Sequence, residues 1–222
     1  MITNRDEVLE NALRVFAKLN YEKASQTEIA KACGLSKAGL LYYFPFKKDL
    51  FVAVVDKYVF DSQRPENKYQ FSPFHSLPEF IGQYIAGVKK TMQQLISLLD
   101  DGYNPGKCSF NLYYFHLLTQ VRLYYPDVEE KVKSCLKWDY QLWFTAIQQA
   151  REKGEIRQDL EVEQTASMFH HVFWGLSFEE AFSQGLDTEE LLQKLHFLYS
   201  LIKICAVGWW REIYIHRLFG VY

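Results

Sequence analysis

The sequence predicts an all-α protein, and the spacing of its apolar residues carries that prediction. Apolar residues recur at helical spacing along most of the 222 residues, whereas no short window alternates apolar and polar positions between turn signals. The chain is 49% hydrophobic and 23% charged, which is enough apolar material for a sizeable core and excludes a disordered protein. Aromatic residues make up 17%, a high share that calls for an explanation beyond ordinary packing.

The predicted helices fall into a short N-terminal group and a long C-terminal group. An amphipathic first helix is expected over residues 3–19, and a helix from near Phe46 towards Phe60 closes the short group. We therefore predict two domains, residues 1–50 and residues 51–222. The long helices are expected over residues 77–100, 107–123, 127–153, 162–183 and 188–206.

The residues between the first helix and Phe46 have the pattern of a helix-turn-helix. Ser25 and Glu28 have the spacing of a capping box, which predicts a helix over residues 26–32. Gly34 stands where a left-handed residue would end that helix, and Ser36 is placed to cap the next one. Two short helices joined by a glycine-containing turn are typical of DNA-binding domains.

The charge distribution favours the same interpretation. Residues 1–50 carry a net charge of +2, whereas residues 51–222 carry −4, and the stretch 18–48 alone reaches +4. A positive region on an otherwise acidic chain is what a phosphate-binding face requires. A solvated charged surface is the alternative explanation for the lysines taken alone.

Other functional classes find little support in the sequence. No nucleophile elbow, phosphate loop or paired carboxylate constellation indicates an enzyme, and no histidine or carboxylate spacing indicates a metal site, so we expect no cofactor. We expect the N-terminal residues to belong to the folded protein and not to a signal peptide, and the apolar stretch 195–210 is too short to span a bilayer. Four widely spaced cysteines without a C-x-x-C pair indicate reduced thiols and a cytoplasmic protein: Cys33, Cys108, Cys135 and Cys205.

Residues 25–50 read SQTEIAKACGLSKAGLLYYFPFKKDL, which resembles, without a gap, the TetR (tetracycline-repressor-like) pattern T-x-x-x-I-A-x-x-A-G-V-S-K-G-T-L-Y-x-Y-F-x-x-K-E-x-L. The resemblance covers about residues 5–55, and beyond them it rests on the number, length and order of the helices. It implies a ligand-responsive transcriptional regulator, a repressor that binds a palindromic DNA operator as a homodimer. A small hydrophobic or aromatic effector would release it.

The resemblance also implies a set of DNA-facing residues. Thr27 would contact base edges, as would Lys37, Ala38 and Gly39 at the start of the second helix of the pair, the recognition helix. Lys47 would contact a phosphate. Two positions depart from the pattern. Gly39 stands where Thr or Ser is common, and Leu41 stands where Tyr is common, so each position lacks a hydroxyl group. Tyr43 is equally well explained as a core residue. The implied DNA-binding residues are Ser25, Gln26, Thr27, Lys37, Ala38, Gly39, Leu41, Tyr42, Tyr43 and Lys47.

The larger share of the aromatic residues lies beyond residue 100. Residues 110–118 read FNLYYFHLL, and the helix predicted over 127–153 is apolar nearly all round. An aromatic-lined cavity is a usual form of small-molecule site, and the resemblance implies an effector bound between these helices. For each ring, the alternative is plain core packing. The predicted lining residues are Tyr113, His116, Trp138, Trp143, His170 and Trp174.

The last two predicted helices carry more apolar residues than one core needs, and the resemblance implies that they form a dimer seam. A two-fold dimer would place two recognition helices roughly 34 Å apart on DNA. An alternative function is a helical sensor or carrier of hydrophobic ligands with weakened or lost operator binding, since Ala38 and Gly39 offer little side chain for reading bases. The residues expected at the seam are Ala166, Phe169, Val172, Phe173, Leu176, Leu191, Leu195, Leu198 and Ile202.

Overall fold

The computed structural model describes residues 4–70, 72–99 and 110–204. Within these ranges the protein is all-α, as predicted, and its one extended pairing is an isolated bridge between Ile156 and Lys203. The long helices predicted from the sequence are confirmed, with small displacements of their ends. Helices α1 to α10 span Arg5–Lys18, Gln26–Ala32, Lys37–Tyr43, Lys47–Val55, Pro65–Lys68, Leu77–Leu99, Phe110–Tyr124, Val128–Glu152, Val162–Ala181 and Thr188–Ile202.

Helices α1 to α4 share an apolar core that continues into the larger part of the molecule. Phe16 and Phe51 are fully buried and meet edge to face, with ring centroids 5.1 Å apart. Leu117 and Val121 of α7 belong to the same core. The helix-turn-helix therefore packs directly on α7. Helix α4 runs through position 50, and the division of the chain at that residue stays a prediction.

A second core lies between α6, α8, α9 and α10. Its centre is Trp143, which is fully buried, with its ring 5.1 Å from that of Phe80 and 5.1 Å from that of Phe169. Such large buried rings bring much of the apolar area that stabilises the fold. Part of the high aromatic content is therefore ordinary core.

The chain between the two cores is irregular and passes close to α6. A π-helix, Asp56–Phe60, and a 3-10 helix, Asp61–Gln63, lead from α4 to the short α5. The end of α5 crosses α6 at Gly87, where an added Cβ would lie 2.1 Å from the ring of Tyr69 and 3.0 Å from the carbonyl oxygen of Lys68. Only glycine allows this approach, which brings the Lys68 side chain inside the protein.

The outer faces of α9 and α10 differ from the seam expected from the sequence. Five of the expected residues are buried in the protomer's own second core, namely Ala166, Phe169, Leu176, Leu191 and Leu195, and the other four pack against it half-buried. For the five buried residues the expected place at the seam was therefore wrong, because they lie on the inward face of their helix, and the seam itself stays a prediction. A different set of large apolar side chains is exposed: Met168, Phe178, Phe182, Phe197, Leu201 and Ile204.

Two further expectations concern the membrane and the cysteines. None of the described helices is long and apolar enough to cross a membrane. Cys33 and Cys135 are free, and burial raises the pKa of each thiol to about 11. Cys108, Cys205 and the C-terminal segment 207–222 lie outside the described residues.

Candidate DNA interface and ligand cavity

The turn between α2 and α3 is built by the local interactions that the sequence predicts. Ser25 Oγ accepts from the backbone N–H of Glu28 at 3.1 Å, and Glu28 accepts from the Ser25 N–H at 2.9 Å, which completes the capping box. Gly34 adopts φ +61°, a left-handed conformation that favours glycine. Ser36 Oγ accepts from the N–H of Gly39 at 3.0 Å and starts α3. These local bonds set the direction of the recognition helix.

Half of the ten implied DNA-facing residues are exposed on the outside of this unit. Thr27, Lys37 and Ala38 are exposed, and Tyr42, at 84%, is the most exposed large hydrophobic side chain among the described residues. Tyr43 is half-buried and packs against the first core, which supports the core explanation in part, and its contact with DNA stays a prediction. Leu41 and Gly39 are half-buried, and Ser25 is exposed. The exposed members leave the N-terminal turn of α3 open for contact with a DNA groove.

Lys47 and Gln26 make inward contacts that sequence reasoning missed. Lys47 Nζ donates to the carbonyl oxygen of Tyr21 at 2.8 Å and lies 4.4 Å from the centroid of the Tyr21 ring. Gln26 Nε2 donates to the carbonyl oxygen of Pro45 at 3.2 Å. Lys48, the next residue along, is exposed at the start of α4. The ammonium group of Lys48 is therefore better placed than that of Lys47 to contact a phosphate. In the sequence, the only signal for a role of Lys48 was its position next to Lys47.

A cavity of about 420 Å³ lies between the helix-turn-helix unit and α9. Its size is within the range of small-molecule pockets. Of the six lining residues predicted from the sequence, Trp174 lines it. The described lining residues come from α1, the π and 3-10 segments, α5, α6, α7 and α9, with Leu186 after α9; among them are Leu13, Tyr58, Lys68, Met92, Leu95, Tyr114, Phe115, Phe173, Trp174 and Ser177.

The other five predicted lining residues lie elsewhere, and that part of the prediction is corrected. Trp143 is at the centre of the second core. Tyr113 packs half-buried against the first core, and His116 Nδ1 lies 2.9 Å from the carbonyl oxygen of Ala17. The guanidinium of Arg64 lies over Trp138. His170 lies beside a buried carboxylate, that of Asp139.

A buried polar cluster lies beside the cavity and surrounds Asp139. The hydroxyls of Tyr69 and Tyr84 donate to its carboxylate at 2.9 Å and 3.2 Å. Lys68 Nζ lies 3.9 Å from Oδ1 and His170 Nε2 lies 3.5 Å from Oδ2. Burial lowers the pKa of Lys68 and of His170, and burial raises the pKa of both tyrosines. Nothing in the sequence pattern brought these residues together.

Helix α7 connects the cavity with the DNA-binding unit. Tyr114 and Phe115 line the cavity, whereas Gln120 Nε2 donates to the carbonyl oxygen of Phe16 in α1 at 3.0 Å. At the end of α7, Tyr124 stacks on Tyr21 with a centroid distance of 4.6 Å. Tyr21 in turn holds Lys47 at the start of α4. Contacts thus run from the cavity along α7 to Tyr21 and Lys47, which lie beside the recognition helix.

A metal centre finds no support in the part of the chain that the structure describes. No group of three or more His, Cys, Asp or Glu side chains is arranged to hold a metal ion within those residues.

Comparison with known proteins agrees with this geometry. Residues 8–54 match the family model of bacterial regulatory proteins, tetR family. The chain is 26% identical over 114 residues to the biofilm operon icaADBC HTH-type negative transcriptional regulator IcaR of Staphylococcus aureus, an alignment that covers 49% of this chain and 59% of IcaR. The chain spans less than two thirds of the length of the curated relatives that it matches first.

Solved structures extend the likeness to the larger helical part. The TetR family transcriptional regulator PfmR from Thermus thermophilus superposes with a TM-score of 0.61 at 16% identity, over 86% of this chain and 96% of PfmR. A protein from Saccharomonospora viridis in complex with choline superposes with a TM-score of 0.58 at 21% identity, over 90% and 98% of the two chains. At these identities the likeness shows the fold. The helix-turn-helix of this chain thus matches the tetR family of bacterial regulatory proteins in sequence, and its larger helical part is similar in fold to solved TetR-family regulators.

Proposed function

We propose that this chain is a ligand-responsive DNA-binding transcriptional regulator. In this proposal a homodimer binds a palindromic operator in the cytoplasm, represses transcription, and is released by a small apolar or aromatic effector. The observation that carries the proposal is the position of α7, which lines the cavity on one side and hydrogen-bonds to α1 on the other. The description of IcaR as a negative regulator supports repression, and the choline complex of the S. viridis neighbour supports an effector site.

DNA binding should depend on the exposed lysines of the helix-turn-helix. We expect Lys37→Ala and Lys48→Ala each to weaken operator binding and to reduce the salt dependence, by about one unit of slope for each phosphate that is no longer neutralised. Lys137→Ala is the matched control, because Lys137 is exposed on α8. Operator sites selected from genomic DNA, titrated at several salt concentrations, give the measurement.

The same experiment separates the regulator from the carrier. The small side chains of Ala38 and Gly39 at the exposed start of α3 favour a carrier with lost operator function as the second candidate. A carrier would show no sequence preference in the selection, and neither lysine substitution would change its binding to DNA. A regulator would show a palindromic site and lose affinity for it.

The exposed apolar stripe on α9 and α10 supports the proposed dimer. On α9, residues Met168, Gly175 and Phe178 lie on one exposed face, and Phe182 follows at its end. Phe197 and Leu201 continue the exposed apolar surface on α10. Large contiguous apolar surfaces on a protein mark interaction sites, and a two-fold dimer covers the same patch on both protomers.

Gly175 offers a test of this dimer that spares the protomer. An added Cβ at Gly175 meets nothing within 4 Å, so a long side chain there has room in the isolated protomer. We expect Gly175→Arg to raise the dimer dissociation constant about a hundredfold or more, because it brings an unpaired charge into an apolar seam. Analytical ultracentrifugation measures the constant.

The control is Gly82→Arg, since Gly82 is also exposed, helical and open around its Cβ position. This variant should remain a dimer. If both variants dimerise like the wild type, the proposed seam on α9 and α10 is wrong.

A further inference from the structure

We infer that the cavity takes an amphipathic anion, a molecule with an apolar body and a carboxylate head group, and that Lys68 holds the head group. The inference rests on the proposed effector site and gives its ligand a chemical class. Most of the described lining is apolar or aromatic. Its charged side chains are two lysines, Lys57 and Lys68, and no carboxylate belongs to the described lining.

The two lysines differ in their surroundings. Lys57 is partly exposed and forms an ion pair with Asp6 at 2.9 Å, so water and a partner already balance its charge. The Lys68 side chain is only 3% exposed. A buried ammonium without full compensation is costly, and an anion bound beside it would remove that cost.

Compensation of Lys68 within the protein is incomplete. The ammonium group has three donors, and Gln63 Oε1 accepts from it at 3.0 Å. Asp139 is 3.9 Å away, beyond hydrogen-bond distance, and its carboxylate already accepts from Tyr69 and Tyr84. The charge of Asp139 is thus shared among several donors. A ligand carboxylate would accept a short, charge-assisted hydrogen bond from Lys68.

Further polar groups of the lining are also unsatisfied. The Tyr58 hydroxyl, Trp174 Nε1–H and the Ser177 hydroxyl are buried without a hydrogen-bond partner among the residues that the structure describes. All three residues line the cavity. The indole N–H can only donate, and both hydroxyls can donate. Buried polar groups are normally hydrogen-bonded, so these atoms favour a ligand that supplies oxygen acceptors.

A cationic ligand fits the same cavity poorly. Lys68 already lies against aromatic rings, with its Nζ 4.7 Å from the ring centroid of Phe173, which lines the cavity, and 5.2 Å from that of Tyr69. A second cation there would meet a like charge. The geometry therefore selects against ammonium ligands and in favour of anions.

Three probes, each with a chain of eight carbon atoms, test the inference: octanoate, octanol and octyltrimethylammonium. Isothermal titration calorimetry of the full chain should show octanoate binding about tenfold or more tightly than octanol, with octyltrimethylammonium the weakest. Octanol binding as tightly as octanoate, octyltrimethylammonium binding most tightly, or no binding of any probe would overturn the inference.

Variants locate the head group. Lys68→Met should remove the preference for octanoate over octanol, whereas Lys57→Met, the matched control at the partly exposed lysine, should keep it. Because Lys68→Met can weaken the fold, Ser177→Ala and Tyr58→Phe provide a second measurement in which one hydroxyl is removed. Each should weaken octanoate binding several-fold, and unchanged affinity in both would contradict the proposed head-group position.

Operator binding, measured in parallel, distinguishes the two proposals. If the chain binds an operator but shows no preference for octanoate, the anion inference fails and the proposed regulator stands. If octanoate is preferred but no DNA sequence is selected, the anion site stands and the proposed regulator fails.

Discussion

Gly87→Ala should lower the free energy of unfolding by about 1–3 kcal/mol, the usual cost of overpacking a well-filled core. The added methyl would lie 2.1 Å from Cδ1 of Tyr69, far inside van der Waals contact. Tyr69 has little freedom to retreat, because it is 4% exposed, stacks on Tyr84 at 5.2 Å and donates to Asp139. The backbone carbonyl of Lys68 blocks the other side at 3.0 Å. Urea denaturation followed by circular dichroism measures the change.

Gly82→Ala on the same helix is the matched control. An added Cβ at Gly82 meets nothing within 4 Å, so the substitution has no steric cost. It should raise the free energy of unfolding by up to about 1 kcal/mol, because alanine is the better helix former. Opposite signs at two glycines five residues apart on one helix are the expected result. Two changes of the same sign would show that the close approach of α5 to α6 is not what requires Gly87.

The DNA-binding unit could be predicted from the sequence because its determinants are local. The Ser25–Glu28 capping box, the left-handed Gly34 and the Ser36 cap all act within three or four residues, so a linear pattern contains them in full. Lys47 is the exception within this unit. Its side chain bonds to the Tyr21 carbonyl across 26 residues, which no short pattern encodes.

The ligand cavity was predicted in the correct helix but on the wrong face. Tyr113 and His116 were chosen from α7, whereas Tyr114 and Phe115 line the cavity. Neighbouring residues of a helix point about 100° apart, and α7 is aromatic on several sides, so its apolar pattern left the rotation undetermined. The hydrogen bond of Gln120 to α1 settles it. That bond joins residues 104 apart and depends on the tertiary structure.

Lys68 was missed for a different reason. It lies in an irregular stretch between α4 and α6, where a π-helix, a 3-10 helix and a short α-helix replace any sustained periodicity. A lysine in such a stretch is ordinarily a surface residue. Its burial follows from the crossing of α5 over α6 at Gly87. The signal for this crossing in the sequence is Gly87 alone, and the same helix carries a second glycine, Gly82, that no close contact requires.

Asp139→Asn should cost about 3–5 kcal/mol of the free energy of unfolding, the usual loss when one partner of a buried charge pair is removed. The substitution keeps the shape of the side chain but leaves the Lys68 ammonium without a carboxylate at 3.9 Å. Asp159→Asn is the matched control, because Asp159 forms a pair with Arg157 at 3.7 Å but its side chain is 75% exposed. The control should change the free energy of unfolding by less than about 1 kcal/mol.

The pH dependence of that loss identifies Lys68 as its cause. Burial already lowers the pKa of Lys68 from its ordinary value of 10.5, and loss of Asp139 should lower it further. The unfolded variant then binds more protons than the folded one, so its free energy of unfolding rises with pH more steeply than that of the wild type. The deficit of Asp139→Asn should therefore shrink as the pH rises towards 10.5, the ordinary pKa of lysine. The double variant Lys68→Met/Asp139→Asn, which has no buried ammonium, should be more stable than Asp139→Asn and lack this steeper rise. A deficit that is constant with pH, or a double variant less stable than Asp139→Asn, would show that the tyrosine hydrogen bonds rather than the charge pair make Asp139 important.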